Sequence, residues 1–395
     1  MTRAIVSRWG RRFVAAGAVF LVAWNGAIVT AQPRRATIAL GLFGVVLTTL
    51  FGKAYPLLPA YFDRQLAVPL APAFHFPVAV LGTLGLAAGG AGVGPPWLDA
   101  AGASLWAVGV ALFVTTIGAT ILDNPTGAET GTAGPNVHRR RVDRLANAAM
   151  PVGLAYLLVG SYAALAGVTP LPPLVDGYPP RATHLLAAGV GALFVFAVGF
   201  RLFPRFLNAE PPRRLVPVVL VTGAVGPILV AVGLPAGSTL HAGAALEGIA
   251  VVGFAAAYVV LFARAGNRRV GYWAVLAGVV AGAIGTGVGV WFAFGTLDPT
   301  LVDAHRRLNL LGLLGLTVVG AAYGFHPPSA GTWPGVDVRT AGASIGLLAV
   351  GLAVETAGTV ARVDSVASVG TWLVLAGSVL YAFLVLAPFA ERRFR

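Results

Sequence analysis

Residues 304–328 read AHRRLNLLGLLGLTVVGAAYGFHPP, and their spacing recurs at two earlier places in the chain. In this copy the marked positions are His305, Gly312, Gly320, Tyr323 and Pro327. Residues 183–205, THLLAAGVGALFVFAVGFRLFPR, repeat the frame with His184, Gly191, Gly199 and Pro204. Residues 37–59 repeat it with Thr37, Gly44, Gly52, Tyr55 and Pro59. Each copy predicts an apolar helix that presents small residues to a neighbouring helix and ends at proline.

The composition indicates an integral membrane protein. Hydrophobic residues make up 57% of the chain, charged residues only 10%, and the mean hydropathy is +0.83. A soluble surface needs far more charge than this. Runs of about 20 apolar residues, the length that crosses roughly 30 Å of hydrocarbon, mark the membrane spans. They predict twelve spans, at 13–31, 37–58, 76–93, 101–121, 147–167, 183–203, 215–233, 240–263, 271–294, 305–325, 340–358 and 368–389.

The basic residues predict the orientation of these spans. Arg3, Arg8, Arg11 and Arg12 precede a first run that is long enough to span and lacks a convincing cleavage site. With the N-terminus inside, the C-terminus (Arg392, Arg393 and Arg395) returns to the same side, and most of the 27 basic residues lie in inner segments. We therefore expect a multi-pass protein of the cell (inner or plasma) membrane with both termini cytoplasmic. The net charge of +13 then reflects anionic inner-leaflet lipids as partners, without nucleic acid.

The position of the repeated motif predicts the architecture. Its copies fall on spans two, six and ten, so three spans separate each copy from the next and all three copies cross in the same direction. The sequence therefore predicts an all-α fold of twelve helices in three parallel four-helix repeats around an axis along the membrane normal. We expect one membrane domain, 1–395, with repeat units at about 1–135, 136–266 and 267–395.

Three histidines are predicted at one membrane face. His184, His241 and His305 lie at the outer ends of spans six, eight and ten. Each can be an ordinary interfacial residue with a solvated tip. Alternatively, the three bind a cofactor, because imidazole is the usual protein ligand for heme iron and copper. The absence of cysteine excludes thiolate metal sites.

Four charged residues near or inside the spans also invite a functional interpretation. Glu247 and Glu355 lie within spans eight and eleven, where an ionisable group costs a few kcal/mol unless it is paired or protonated. They predict a proton relay or substrate contact, or else a protonated carboxyl bonded to a neighbouring helix. Arg306 and Arg307 begin span ten, where they either anchor the outer interface or pair with anionic groups such as heme propionates.

The tenth span resembles the catalytic subunit of the heme-copper oxidases, the superfamily of cytochrome c and quinol oxidases and nitric oxide reductases. In that family a helix at this place carries H-x-H, glycine, glycine, tyrosine and proline in the frame that begins at His305. The sixth span resembles the helix that bears the first copper-ligating histidine, here His184. The resemblance implies that His305 is the axial ligand of the oxygen-binding heme and that His184 is one of three copper ligands.

The chain departs from this family at the remaining ligands. The second histidine of H-x-H, which would bind the low-spin heme, is Arg307 here, and the opposite ligand of that heme is Thr37. The seventh span, 215–233, lacks the family's tandem histidines. The resemblance therefore implies no low-spin heme, a copper site reduced to His184 and His241, and no complete reduction of oxygen.

Three hypotheses follow from these observations. The first is a divergent oxidase-like protein that binds one b-type heme or a copper ion through His305, His184 and His241, with respiratory or redox membrane subunits as partners; if it is an enzyme, it is a heme-dependent oxidoreductase. Its role would be sensing, electron transfer, or the handling of heme, copper or nitric oxide. The second is a transporter of a small or anionic solute that uses Glu247, Glu355 and the outer arginines. The third is a cofactor-free scaffold or assembly protein on the same fold.

Overall fold

The computed structural model of the chain describes residues 2–328 and 331–391, and the predicted C-terminal arginines Arg392, Arg393 and Arg395 lie outside them. In the described part of the chain all regular structure is helical, and twelve helices are long and apolar enough to cross a membrane. They are α1 Ala4–Val29, α2 Arg34–Tyr61, α3 Ala71–Gly90, α4 Trp97–Ile121, α5 Gly134–Ala166, α6 Pro179–Leu207, α7 Leu215–Gly233, α8 Ser238–Arg264, α9 Val270–Phe294, α10 Pro299–Phe325, α11 Val338–Ala361 and α12 Asp364–Glu391.

The prediction of twelve spans is confirmed, although several helices are longer than their apolar runs. The largest difference is at α5, which begins at Gly134 with one 3₁₀ turn and continues through the arginine-rich segment before the predicted start at 147. Hydropathy marks only the part of a helix that crosses hydrocarbon. Arginine has a good helix propensity, so the helix continues beyond the apolar stretch.

Three helices form the centre of the bundle. In α2, α6 and α10 the buried share of the apolar window is 83%, 78% and 72%, against 33% to 50% in the other nine described spans. These three helices also contact one another. Because they carry the three motif copies, the repeated sequence marks the core of the protein.

The other nine described helices surround the inner three in three equivalent groups. Within each group the last two helices pack closely together: α3 on α4, α7 on α8, and α11 on α12. Contacts of α4 with α5, of α8 with α9, and of α12 with α1 join one group to the next. The arrangement is that of three four-helix repeats, and the boundaries given above for the repeat units remain a prediction.

Each inner helix contains a π-helical segment near its start. The segments are Ala39–Leu47, Leu185–Ala192 and Leu308–Leu316, and each begins within three residues of the first motif position. Extended π-helical runs are rare in proteins and are found mostly at functional sites. The spacing of the motif did not predict them.

Glycine allows close helix contact where the motif repeats. A Cβ atom at Gly320 of α10 would collide with α9, and one at Gly271 of α9 would lie 2.6 Å from the carbonyl oxygen of Gly320. In the first repeat, a Cβ at Gly52 of α2 would lie 2.7 Å from the carbonyl oxygen of Gly10 in α1. In these two repeats the same motif position brings an inner helix against the first helix of its own repeat, whereas a Cβ at Gly199 of α6 would meet Phe254 of α8.

Candidate functional site: a histidine-lined cavity

A cavity of about 450 Å³ lies at the end of the bundle where α2, α6 and α10 begin, which we call the histidine face. Its walls come mainly from α6, α7, α8 and α10. The deeper walls are apolar and include Phe196, Val251, Leu310, Leu313 and Leu314. Polar side chains lie nearer the face, so the cavity combines an apolar body with a polar entrance.

His184 and His305 line this cavity together. Their ring centres are 6.3 Å apart, and the ring planes differ by 22°. Each histidine lies in the first turns of an inner helix, directly before the π-helical segment. The contact between α6 and α10 therefore brings together two residues that are far apart in the chain.

Hydrogen bonds fix the orientation of both imidazole rings. Nδ1 of His305 lies 2.7 Å from the carbonyl oxygen of Gly285 in α9, and Nδ1 of His184 lies 3.1 Å from that of Pro180. A carbonyl only accepts, so these two contacts require the hydrogen on Nδ1, and a neutral imidazole then keeps its lone pair on Nε2. Metal-ligating histidines are commonly oriented in this way.

The α9 helix also supports His305 by leaving room for its ring. A Cβ atom at Gly289 would lie 2.6 Å from Cε1 of His305. Asn309, one turn later in α10, donates from Nδ2 to the backbone oxygen of His305 at 2.9 Å. The ring is therefore held between a glycine of α9 and its own helix.

Glu247 of α8 lines the same cavity. In the described part of the chain its Oε1 is buried and has no hydrogen-bond partner. The helix opposite approaches closely, since a Cβ at Gly226 of α7 would lie 2.9 Å from Cγ of Glu247. A buried carboxyl oxygen without a partner is costly. A proton or a ligand bound at Glu247 would remove this cost.

Arginines surround the entrance of the cavity. Arg34, Arg35 and Arg306 all line it. Asp303 pairs with Arg34 at 2.9 Å and with Arg306 at 3.2 Å, while Arg35 pairs with Asp99. Nη1 of Arg306 is buried and lacks a hydrogen-bond partner among the described residues. The entrance therefore favours an anionic group.

Asp298 caps the helix that carries His305. Its side chain accepts a hydrogen bond of 2.8 Å from the backbone N–H of Thr300 in the first turn of α10. This hydrogen bond lowers the pKa of Asp298 below its usual value. The carboxylate at the helix N-terminus stabilises the turn that positions His305.

The structure separates the other predicted site residues from this cavity. His241 does not line it, and its ring stacks on Phe294 with the centres 4.7 Å apart. Arg307 does not line it either, because its guanidinium is paired with Glu355. The candidate site therefore consists of His184, His305, Glu247 and Arg306, and it excludes His241, Arg307 and Glu355.

The sequence interpretation included two further residues of the site only among the outer arginines of the transporter hypothesis. Arg34 and Arg35 begin α2 and reach the cavity from the first repeat. A signal was present, because a basic pair stands beside the first motif position both there and at Arg306–Arg307. Recognising it required knowing that α2 and α10 begin side by side.

The donor set at the cavity limits what it can bind. Among residues 2–328 and 331–391, no three histidine, aspartate or glutamate side chains are grouped so that they hold a metal ion by themselves. A metal bound by the two histidines would need its remaining ligands from a porphyrin, water or another small molecule. The two Nε2 atoms are the donors that the chain itself would supply to such a group.

Fold and site together define a polytopic α-helical membrane protein with a histidine-lined cavity at one face. A search of known protein families and of curated proteins found no match for this chain. A functional proposal therefore depends on the geometry described above.

Proposed function

We propose that the protein holds a single metal centre, either a heme iron or one transition-metal ion, in the cavity between His184 and His305. The observation that carries this proposal is the pair of neighbouring imidazole rings with hydrogen-bonded Nδ1 atoms, whose centres are 6.3 Å apart. His184 and His305 would hold the metal through their Nε2 atoms.

The cavity also fits a heme in its chemistry. The apolar side chains of Leu310, Leu313 and Phe196 would face the macrocycle, and Arg34 and Arg306 would pair with its carboxylates. The buried, unpartnered Nη1 of Arg306 is available for such a pair. A bound heme or metal supplies electron transfer or the binding of a small gas, while the chain itself orients the imidazoles and excludes water.

We propose one centre because the two ring centres are only 6.3 Å apart. A low-spin heme is not part of the proposal, since the position of its ligand is Arg307, which is paired with Glu355. In this proposal the cavity lies on the outer side of the membrane, both termini are cytoplasmic, and electrons come from a redox subunit of the same membrane. The protein acts as a sensor, an electron carrier or a handler of heme, copper or nitric oxide.

The first test is an absorption spectrum with metal analysis of detergent-purified protein from a heme-sufficient host, oxidised and reduced. We expect about one centre per chain, lost in His305→Ala and in His184→Ala, because each substitution removes one of the two oriented Nε2 ligands. His241→Ala is the matched control at the same face and should keep the centre. A colourless, metal-free wild type, or full binding by His305→Ala, would contradict the proposal.

A second candidate function is proton-coupled transport of a small solute, which the unpartnered Oε1 of Glu247 favours. A charged carboxylate is costly at this depth, and ionisable side chains inside membrane spans often belong to proton pathways. Transport predicts uptake into proteoliposomes that survives replacement of His184, His241 and His305 but is lost in Glu247→Gln. Uptake that depends on the histidines and is unchanged in Glu247→Gln would exclude this candidate.

A further inference from the structure

A second, smaller cavity of about 110 Å³ lies between α2, α6 and α10, farther from the histidine face than the first. Its walls are almost entirely apolar, with side chains such as Val195, Leu202 and Phe325. One charged side chain, Lys53 of α2, also lines it. Lys53 is only partly buried, but a basic side chain at an apolar cavity needs a reason, since an unpaired ammonium there is costly.

One layer of side chains separates the two cavities. Leu314 of α10 lines both of them, whereas the consecutive residues Gly191 and Ala192 of α6 line the smaller and the larger cavity respectively. A Cβ atom at Gly191 would lie 2.9 Å from Cδ1 of Leu314 and 3.5 Å from Cγ1 of Val46. We call Val46, Gly191 and Leu314 the Leu314 layer.

The Leu314 layer takes one residue from each inner helix, and all three lie in the π-helical segments. A π-helical hydrogen bond closes one residue later than an α-helical one, so conversion between the two would shift the register of the side chains. The separation between the cavities therefore lies in the π-helical part of all three inner helices.

Each of the two cavities has a basic side chain with N–H donors that are not used within the described residues. At the smaller cavity, Nζ of Lys53 lies 3.0 Å from Nε2 of His326 and 4.4 Å from the centre of the Phe325 ring. An ammonium has three N–H donors, so two remain for a ligand. At the larger cavity Arg34 and Arg35 are paired with Asp303 and Asp99, but the buried Nη1 of Arg306 has no partner among the described residues. Rings of lysine and arginine select anions in membrane pores.

The size of the smaller cavity limits the ligand. Its 110 Å³ corresponds to roughly three or four water molecules at about 30 Å³ each. A monovalent inorganic anion with one or two waters fits this space, and a large organic solute does not.

We infer that the axis of the three inner helices is a path for a small inorganic anion, with Lys53 as its binding group and the Leu314 layer as its closed gate. This inference rests on the transport candidate and names its solute class. It does not depend on the metal centre, so it is tested on metal-free protein.

The test measures chloride entry into proteoliposomes that contain a chloride-quenched dye. Wild type should be slow, and Leu314→Ala should be at least tenfold faster, because the alanine opens the layer between the cavities. The double variant Leu314→Ala/Lys53→Met should return to the wild-type rate. Leu311→Ala is the matched control, since Leu311 is equally buried in α10 but lines neither cavity, and its rate should stay that of wild type.

Two further measurements keep the result decisive. Leu314→Val is the milder variant if the alanine protein does not purify as a single species. In chloride NMR, the chloride signal should broaden in the presence of the wild-type protein because chloride binds, and it should stay narrow with Lys53→Met. The inference is overturned if purified Leu314 variants conduct no faster, if they pass potassium or protons as fast as chloride, or if Lys53→Met leaves binding unchanged. Leu314→Ala keeps both histidines. The absorption spectrum of its metal-loaded form therefore tests the metal centre independently of chloride conduction.

Discussion

At the scale of single residues, the pairing of Arg307 with Glu355 decides between the interpretations that the sequence left open. Nε and Nη2 of Arg307 contact the two oxygens of Glu355 at 2.7 and 2.8 Å, and the two side chains are only 5% and 7% exposed. Arg307 also donates to Oδ1 of Asn25 in α1 at 3.0 Å. Glu355 is therefore the partner of an arginine and not a free carboxyl, and the pair joins α1, α10 and α11.

This buried pair predicts a specific pattern of stability. Arg307→Met or Glu355→Gln alone should destabilise the protein by about 3 kcal/mol, because each leaves an uncompensated group in the bundle. The double variant Arg307→Met/Glu355→Met should recover most of that loss, since two apolar side chains replace the pair. Thermal unfolding in one detergent measures all three. Equal losses that add in the double variant would show that the pair is not coupled.

At the scale of a helix, α9 controls the position of His305 although it contributes no ligand. Gly285 and Gly289 are four residues apart and face α10, one through its carbonyl oxygen and the other through its missing side chain. A Cβ atom at Gly287, between them, would meet no atom of a neighbouring helix within 4 Å. One face of α9 therefore acts on the site and the other does not.

This difference predicts the effect of added methyl groups on binding. Gly289→Ala should weaken metal or heme binding about tenfold to a hundredfold, because it displaces the ring without removing the ligand. Gly287→Ala is the matched control and should bind like wild type. Titration of each purified variant, followed by its absorption spectrum, measures the change. Equal affinities of the two variants would show that α9 does not position His305.

At the scale of the whole molecule, the spans and their grouping were predictable and the π-helical segments were not. The twelve runs follow from apolar length alone, and the recurrence of the motif identified the three inner helices. The π-helical segments depend on which backbone hydrogen bonds each inner helix forms when the three helices are packed together. Neither hydropathy nor residue spacing predicts whether a helix adopts α-helical or π-helical hydrogen bonds.

The candidate site was predictable in part. His184 and His305 were identified from their place in the motif, and the structure brings them together at one cavity. His241 was identified by depth in the membrane alone, and it faces Phe294 instead. Depth along a helix is readable from sequence, whereas the direction in which a side chain points depends on how the helix is rotated against its neighbours.

The sequence by itself determined the twelve helices of the described residues that are long and apolar enough to cross a membrane, their recurrence in fours, and which three carry the marked positions. These properties are local, because they depend on apolar length and on residue spacing within one helix. Only the tertiary structure decided that His184 and His305 share a cavity with Glu247, that Arg307 belongs to Glu355, and that Leu314 separates two cavities. Those relations join residues of different helices, and packing alone sets which faces meet.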